Sequence, residues 1–251
     1  MAKPRAILKR TQSVKNIAKI TKTMQMIATA KFKRAFDRAV AARPYTDKLT
    51  RLIGQLADAA GSEFEHPLLD KREPKKVVLL AISSNRGLCG GFNTNATKAA
   101  LQAHAELLER GLDVEVIACG KRVARMLKYK QVQADVEHTH IEDKPTFAEV
   151  DVIAGELLER YANGEVDEVH VAYTKFISAA RQSAVVEQML PLEPPEADEG
   201  AATGVQQHFL FHPSAEQILA DLLPRSVRLH MFQAFLDSAV SEQTARMVAM
   251  K

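Results

Sequence analysis

The chain has 251 residues, of which 46% are hydrophobic and 26% charged, so it can form one large or two small globular domains. Tryptophan is absent and aromatic residues make up only 6%, which disfavours extended stacking surfaces for nucleic acid. The net charge of +3 hides an asymmetry, because residues 1–60 carry fourteen Lys or Arg against three Asp or Glu. The rest of the chain is net acidic, and we expect the basic N-terminal segment to meet an acidic partner.

Neither cysteine spacing nor hydropathy indicates a metal centre, a redox pair or a membrane span. Cys89 and Cys119 follow no metal or redox spacing, so we interpret them as small buried side chains. The longest apolar run, Val77–Ile82, is far shorter than the roughly 20 residues that cross a bilayer. The acid-free N-terminus has the charge of a transit peptide. Because its helical pattern begins at once, we interpret it as part of the mature protein.

Residues 1–60 predict one long helix. Ten Lys or Arg precede the first carboxylate, Asp37, and residues with high helix propensity dominate. Apolar side chains recur three and four residues apart, at Val14, Ile17, Ile20, Met24 and Ile27. The apolar stripe then shifts to Phe32, Ala35, Phe36, Ala39 and Ala42, as in a helix that wraps around a neighbour. We expect Pro44 to bend or interrupt this helix and Gly61 to end it.

The segment 73–212 alternates strands with helices. Val77–Ile82 predicts a buried strand, followed by a glycine-rich loop and a helix from about Thr94 that Gly111 stops. Further strands are expected at Val114–Ala118, Val132–Val136, Val169–Tyr173, Ala184–Leu190 and Gln206–Phe211, and further helices at Lys121–Tyr129 and Pro145–Ala162. This pattern favours a three-layer, Rossmann-like α/β domain with a largely parallel sheet and a mobile acidic loop at 191–204.

Residues 213–251 predict a second long helix. Ser214 is a plausible N-cap, with Gln217 in the third helical position, and Pro224 is expected to interrupt the first turns. A four-three alternation typical of a coiled-coil seam follows at Phe232, Leu236, Ala239, Gln243, Arg246 and Met250. We therefore expect the two terminal helices, 1–60 and 213–251, to form an antiparallel coiled coil flanking the α/β domain.

Four stretches, in the same order, resemble the gamma subunit of F-type ATP synthase. They are KITKTMQMIATAK (Lys19–Lys31), Arg43-Pro44-Tyr45, NRGLCGGFN (Asn85–Asn93) and SEQTARMVAMK (Ser241–Lys251). The resemblance implies that the terminal helices form a central rotor shaft. Rotation of an ion-driven c-ring would turn this shaft inside an alpha/beta hexamer and couple ion flow to ATP synthesis or hydrolysis. It also implies that the chain has no catalytic, cofactor-binding or metal-binding residues of its own.

The partners follow from the same resemblance. They are the alpha and beta subunits of the hexamer, the epsilon subunit and the c-ring, with the delta/b stalk reached only indirectly. Nucleic acid is not among them, and contact with the membrane is peripheral, through the c-ring. The implied location is the cytoplasmic face of a bacterial inner membrane.

The resemblance also implies which residues contact the beta subunits: Lys19, Lys22, Met24, Arg86, Cys89 and Arg246. Two departures from the family pattern stand out. Asn85 occupies a position that is usually Asp, so we expect any ion-pairing role of that acid to be lost. The C-terminal helix is also short relative to the family, since the sequence ends at Lys251 without a helix-stop signal.

Other functions carry weaker signals. A basic helix could bind nucleic acid, and the Gly87–Gly91 loop after a strand superficially suggests a nucleotide-binding enzyme. The loop lacks both the G-x-G-x-x-G spacing and the GK[ST] of a P-loop, and no convergent catalytic set stands out. His138 and His140, near Glu137 and Glu142, could be imagined as a metal site, but we interpret them as surface residues.

Overall fold

The computed structural model describes residues 4–60, 66–70, 72–192 and 214–251. In chain order its elements are α1 (Pro4–Ala60), β1 (Lys76–Ile82), α2 (Phe92–Glu109), β2 (Asp113–Cys119), α3 (Lys121–Tyr129), β3 (Val136–His138), α4 (Phe147–Ala162), β4 (Glu168–Phe176), β5 (Gln182–Leu190) and α5 (Ala215–Ala249). The strand expected at Gln206–Phe211 lies outside the described residues.

The five strands form one sheet in the order β3-β2-β1-β4-β5, in which only β5 pairs antiparallel. Alternate residues of β1 face opposite layers. Val78, Leu80 and Ile82 enter the core shared with α4, α5 and the end of α1, whereas Leu79 and Ala81 pack towards α2 and α3. Both faces of β1 are therefore covered, as its continuous apolar sequence requires. The predicted three-layer α/β fold with two long terminal helices is confirmed.

The terminal helices run antiparallel along one face of the sheet. Thr50 of α1 contacts His230 of α5, and Arg43 contacts Asp237 seven residues later in α5. Because α5 packs on α1 and on the α/β domain together, it is buried on nearly all sides between Ala234 and Thr244. The coiled-coil seam predicted for α5 is buried, except for partly exposed Phe232, but the residues between its positions are buried as well.

The helix interruptions expected at Pro44 and Pro224 do not occur. Pro44 lies inside α1 and Pro224 inside α5, and both helices continue through them. A proline inside a helix costs about 3 kcal/mol in lost hydrogen bonding and steric contact. In α1, Ala39 before the proline and Leu49 after it are both buried, so packing on either side holds the helix together.

Two secondary-structure elements begin at other residues than predicted, and local hydrogen bonds explain the difference. The third strand is Val136–His138 rather than Val132–Val136. The backbone N–H of Val132 donates to the carbonyl of Leu127 at 3.0 Å, so Val132 belongs to the turn that ends α3. Helix α4 begins at Phe147 rather than Pro145, because Thr146 and Glu149 form a reciprocal capping box. At the start of α5, Ser214 accepts a hydrogen bond from the backbone N–H of Gln217, which confirms the predicted N-cap.

Candidate partner-contact surface

The N-terminal part of α1, residues 5–27, projects away from the α/β domain. We call it the free arm. Every residue from 5 to 20 is exposed, including the apolar stripe, in which Val14 is 64% exposed, and the first completely buried side chain is Ala28. At 1.5 Å per residue the free arm is about 35 Å long. It carries six Lys or Arg and no carboxylate, and within the described residues none of the six forms an ion pair.

The free arm meets the domain at a cluster of charged side chains. Lys31 of α1 forms an ion pair with Asp143, which precedes α4. On α5, Glu242 pairs with Arg246, whose guanidinium also donates to the backbone carbonyl of Gly87. Burial raises the pKa of the Glu242 carboxyl, and nearby Asp143 adds to this, while Arg246 and Lys31 oppose it. Both long helices are thereby tied to loops at the carboxyl edge of the sheet.

The glycine-rich loop after β1 is fixed from within by Asn93. Its amide oxygen accepts hydrogen bonds from the backbone N–H and the hydroxyl of Ser84, at 3.1 and 2.9 Å. Its amide nitrogen donates to the carbonyl of Arg86 at 3.2 Å and to the sulfur of Cys89 at 3.0 Å. The side chain of Arg86 remains exposed, as does that of Leu88, whose φ of 62° lies in the left-handed region. The loop is therefore a rigid turn that presents these two side chains outward.

Asn85 has a role that the sequence did not reveal. Its amide nitrogen donates to the backbone carbonyls of Thr139 and Ile141, at 2.9 and 3.1 Å, and its amide oxygen accepts from the backbone N–H of Lys121 at 2.9 Å. It thereby joins three loops at the carboxyl edge of the sheet. An aspartate could accept from Lys121 but could not donate to two carbonyls, so Asn85 brings a contact of its own to this position.

The expected contact residues fall into two groups. Lys19 and Lys22 are exposed on the free arm, Met24 is partly buried there, and Arg86 is exposed on the loop. By contrast, Cys89 is only 1% exposed and Arg246 is held by Glu242 and Gly87. Burial also raises the pKa of the Cys89 thiol. A contact made through this second group therefore has to act by shaping the surface rather than by touching a partner.

The crevice where doubly wound sheets usually bind ligands is filled in this chain. That crevice lies outside the carboxyl ends of the strands. Here α5 crosses it, leaving a cavity of about 30 Å³ lined by Ile82, Cys119, Phe235 and Glu242 among others. This volume suits a single water, whereas small-molecule pockets measure roughly 300–1,000 Å³. A nucleotide has no room at this position.

Comparison with known proteins places these features in a family. The model of the family described as ATP synthase matches residues 3–251. The ATP synthase gamma chain of Rhodopirellula baltica is 44% identical over 258 residues, covering all of this chain and 86% of that one. The chain belongs to the ATP synthase gamma chain family. A gamma chain from Leptospira biflexa is 40% identical over 252 residues, again covering all of this chain and 86% of the relative.

Solved structures show the same fold. The central stalk and c-ring of Tetrahymena thermophila mitochondrial ATP synthase includes a chain that matches with a TM-score of 0.65 and 20% identity, covering 92% of this chain and 97% of that one. A chain of the rotor of Euglena gracilis mitochondrial ATP synthase matches with a TM-score of 0.61 and 21% identity, covering 98% of this chain and 88% of that one. This chain therefore has the fold of the chains in these two structures. None of the helices in the described segments is long and apolar enough to cross a membrane.

Proposed function

We propose that the chain is the mechanical coupler of an F-type ATP synthase, transmitting rotation of a c-ring to the alpha and beta subunits of the catalytic hexamer. The observation that carries the proposal is the free arm: about 35 Å of acid-free helix that projects from a domain to which its other half is fixed. Rotation of a bent or off-axis arm would shift each beta subunit in turn between pre-existing conformations.

The charge of the free arm suits a sliding contact. Lys19 and Lys22 are exposed, so ion pairs with acidic loops of the beta subunits would stay solvent-screened. Such pairs contribute under about 1 kcal/mol each, which attracts a partner without locking the rotor in place. Arg86 on the rigid loop after β1 would extend this contact to the domain.

The contacts at the base of the free arm suit torque transmission. Lys31–Asp143 joins α1 to the domain, and Arg246 joins α5 to the loop at Gly87. The buried Glu242–Arg246 pair lies within α5 and is screened less than a surface pair, so it holds the Arg246 guanidinium in place against Gly87. The domain itself would face the epsilon subunit and the c-ring, leave the delta/b stalk to indirect contact, and lie at the cytoplasmic face of a bacterial inner membrane.

Reconstitution with alpha and beta subunits tests the proposal. The chain should co-purify with the hexamer at one copy per three beta subunits, and ATP hydrolysis should drive rotation of a bead attached to the α/β domain. The chain alone should hydrolyse no ATP. Three copies per hexamer, or hydrolysis that follows the concentration of the re-purified chain alone, would contradict the coupler function.

A further inference from the structure

A strongly basic surface lies on the flank of the α/β domain, around α3 and the loop after β1. It comprises Arg86, Lys121, Arg122, Arg125, Lys128 and Lys130, all of which are exposed, and we call it the basic flank. Residues 121–130 contain five cations and no carboxylate. Within the part of the chain that the structure describes, none of the six forms an ion pair. Glu137 lines the same groove as Lys128.

The basic flank is one continuous surface. The backbone N–H of Arg122 donates to the carbonyl of Ser84 at 3.1 Å. Its guanidinium lies so close to Gly87 that a Cβ there would come within 2.8 Å of it. The loop that carries Arg86 and the start of α3 are thereby joined. Lys121, Arg125 and Lys128 follow along α3 at i, i+4 and i+7, which places them on one helix face.

We infer that the basic flank binds an acidic segment of another protein subunit in the assembled complex; the inference rests on the proposed function. The three aligned cations rise by about 6 and 4.5 Å along α3, and carboxylates at i, i+4 and i+7 of a facing helix repeat at the same intervals. Each carboxylate of the partner could then pair with one cation of the basic flank. These ion pairs would be exposed and therefore weakened by salt.

Other anionic partners fit the basic flank less well. Membrane-bound amphipathic helices insert an apolar face, but in α3 that face, Val123, Ala124 and Leu127, is already buried in the domain. Single-stranded nucleic acid stacks its bases on aromatic side chains. On this flank Tyr129 is 83% exposed, and it is the only aromatic side chain among residues 121–130. A row of carboxylates remains the best match.

Zero-length carbodiimide coupling in the purified complex tests this inference. The reagent joins an amine to a carboxylate only where the two are in contact, and the internal Lys31–Asp143 pair supplies a positive control. We expect mass spectrometry to find Lys121 or Lys128 coupled to Asp or Glu of another subunit. The yield should fall about fivefold in 0.5 M NaCl because salt screens exposed pairs.

Two triple variants make the test specific. In Lys121→Gln/Arg125→Gln/Lys128→Gln the cross-linked subunit should dissociate from the complex at an about tenfold lower salt concentration. The control Lys75→Gln/Lys98→Gln/Lys144→Gln removes the same charge from scattered exposed sites and should not change the retention of that subunit. The inference is overturned if Lys121 and Lys128 couple only to Glu137 or to nothing while Lys31–Asp143 forms. It is also overturned if the first triple loses binding only to anionic phosphatidylglycerol vesicles. Failure to assemble with the hexamer would instead contradict the coupler function.

Discussion

Arg43 of α1 and Asp237 of α5 both form hydrogen bonds with the backbone of Phe176 at the end of β4. The Arg43 guanidinium donates to the carbonyl of Phe176 at 2.8 Å, and the N–H of Phe176 donates to the Asp237 carboxylate at 3.4 Å. The two side chains complete the triangle with an ion pair of 3.3 Å. The Asp237 side chain is nearly buried, so burial raises its pKa, while Gln233 and Arg43 oppose that shift. The end of β4 is thereby fixed to both terminal helices.

Arg43→Met should destabilise the fold more than an equivalent change elsewhere on α1. The variant keeps the apolar stem but leaves the buried Asp237 carboxylate without its cation, which costs about 1–3 kcal/mol. Lys33→Met is the matched control, since Lys33 pairs with Asp37 on the exposed surface and contributes under about 0.5 kcal/mol. Urea denaturation of both variants gives the comparison, and equal midpoints would refute the special role of Arg43.

The fold was largely readable from sequence because each element carries its own pattern. Val77–Ile82 reads as a buried strand, and Lys121–Tyr129 is helical at the predicted residues. The helices were expected to be interrupted at the two prolines because a sequence pattern shows the local free-energy cost of a proline but not the tertiary packing that offsets it. Arg43 stood out only as part of a resemblance, since nothing local shows that its partner lies 194 residues later. Pairing over such a distance depends on how the helices dock on the sheet.

Asn85→Asp should weaken the join between the loops at the carboxyl edge of the sheet. The carboxylate loses both donated hydrogen bonds and sits beside the carbonyls of Thr139 and Ile141, at a cost of about 1–3 kcal/mol. Asn95→Asp is the control, because Asn95 is exposed in the first turn of α2, where a negative charge is mildly favourable. Thermal melting should show a lower midpoint for the first variant only. If both melt like the parent, the amide of Asn85 contributes nothing.

The contact surface was harder to infer from sequence than the fold. The acid-free pattern marked the basic N-terminal segment, because charge along a helix is visible in the residues themselves, but it did not show that residues 5–27 project from the domain. The sequence showed only that Asn85 lacks the negative charge of an aspartate. Its two acceptors are backbone carbonyls, which every residue carries, so no side-chain pattern could have indicated them. Cys89 was expected at a contact, yet the loop folds with this side chain inward.

His230 should make stability fall in mild acid. Its ring contacts Thr50 at 3.2 Å between α1 and α5, and burial lowers its pKa, although Glu187 and Asp47 oppose the shift. Below about pH 6.5 the unfolded chain binds a proton that the folded chain resists, so the free energy of unfolding decreases as the pH falls. The raised pKa values of Asp237 and Glu242 act oppositely, because stability from those carboxyls is lost as the pH rises.

His230→Asn separates this contribution from the carboxyl groups. The amide can still pair with Thr50 but does not titrate, so the loss of melting temperature between pH 7.5 and pH 5.5 should be smaller than in the parent. His104→Asn provides the comparison, because burial also lowers the pKa of that histidine, which lies on α2 away from the paired helices. An unchanged pH dependence in His230→Asn would exclude the α1–α5 contact as its source.

Met24→Lys should impair coupling without abolishing ATP hydrolysis. If the free arm slides past acidic loops, one more cation on the contact face strengthens an attraction that has to stay weak. Met26→Lys is an unusually close control, since Met26 lies two residues away and about 200° around the same helix. Protons pumped per ATP hydrolysed, measured in vesicles carrying the reconstituted complex, should decrease for Met24→Lys and stay near the parental value for Met26→Lys. An equal decrease in both would mean that added charge anywhere on the free arm disturbs coupling, and that Met24 marks no particular contact.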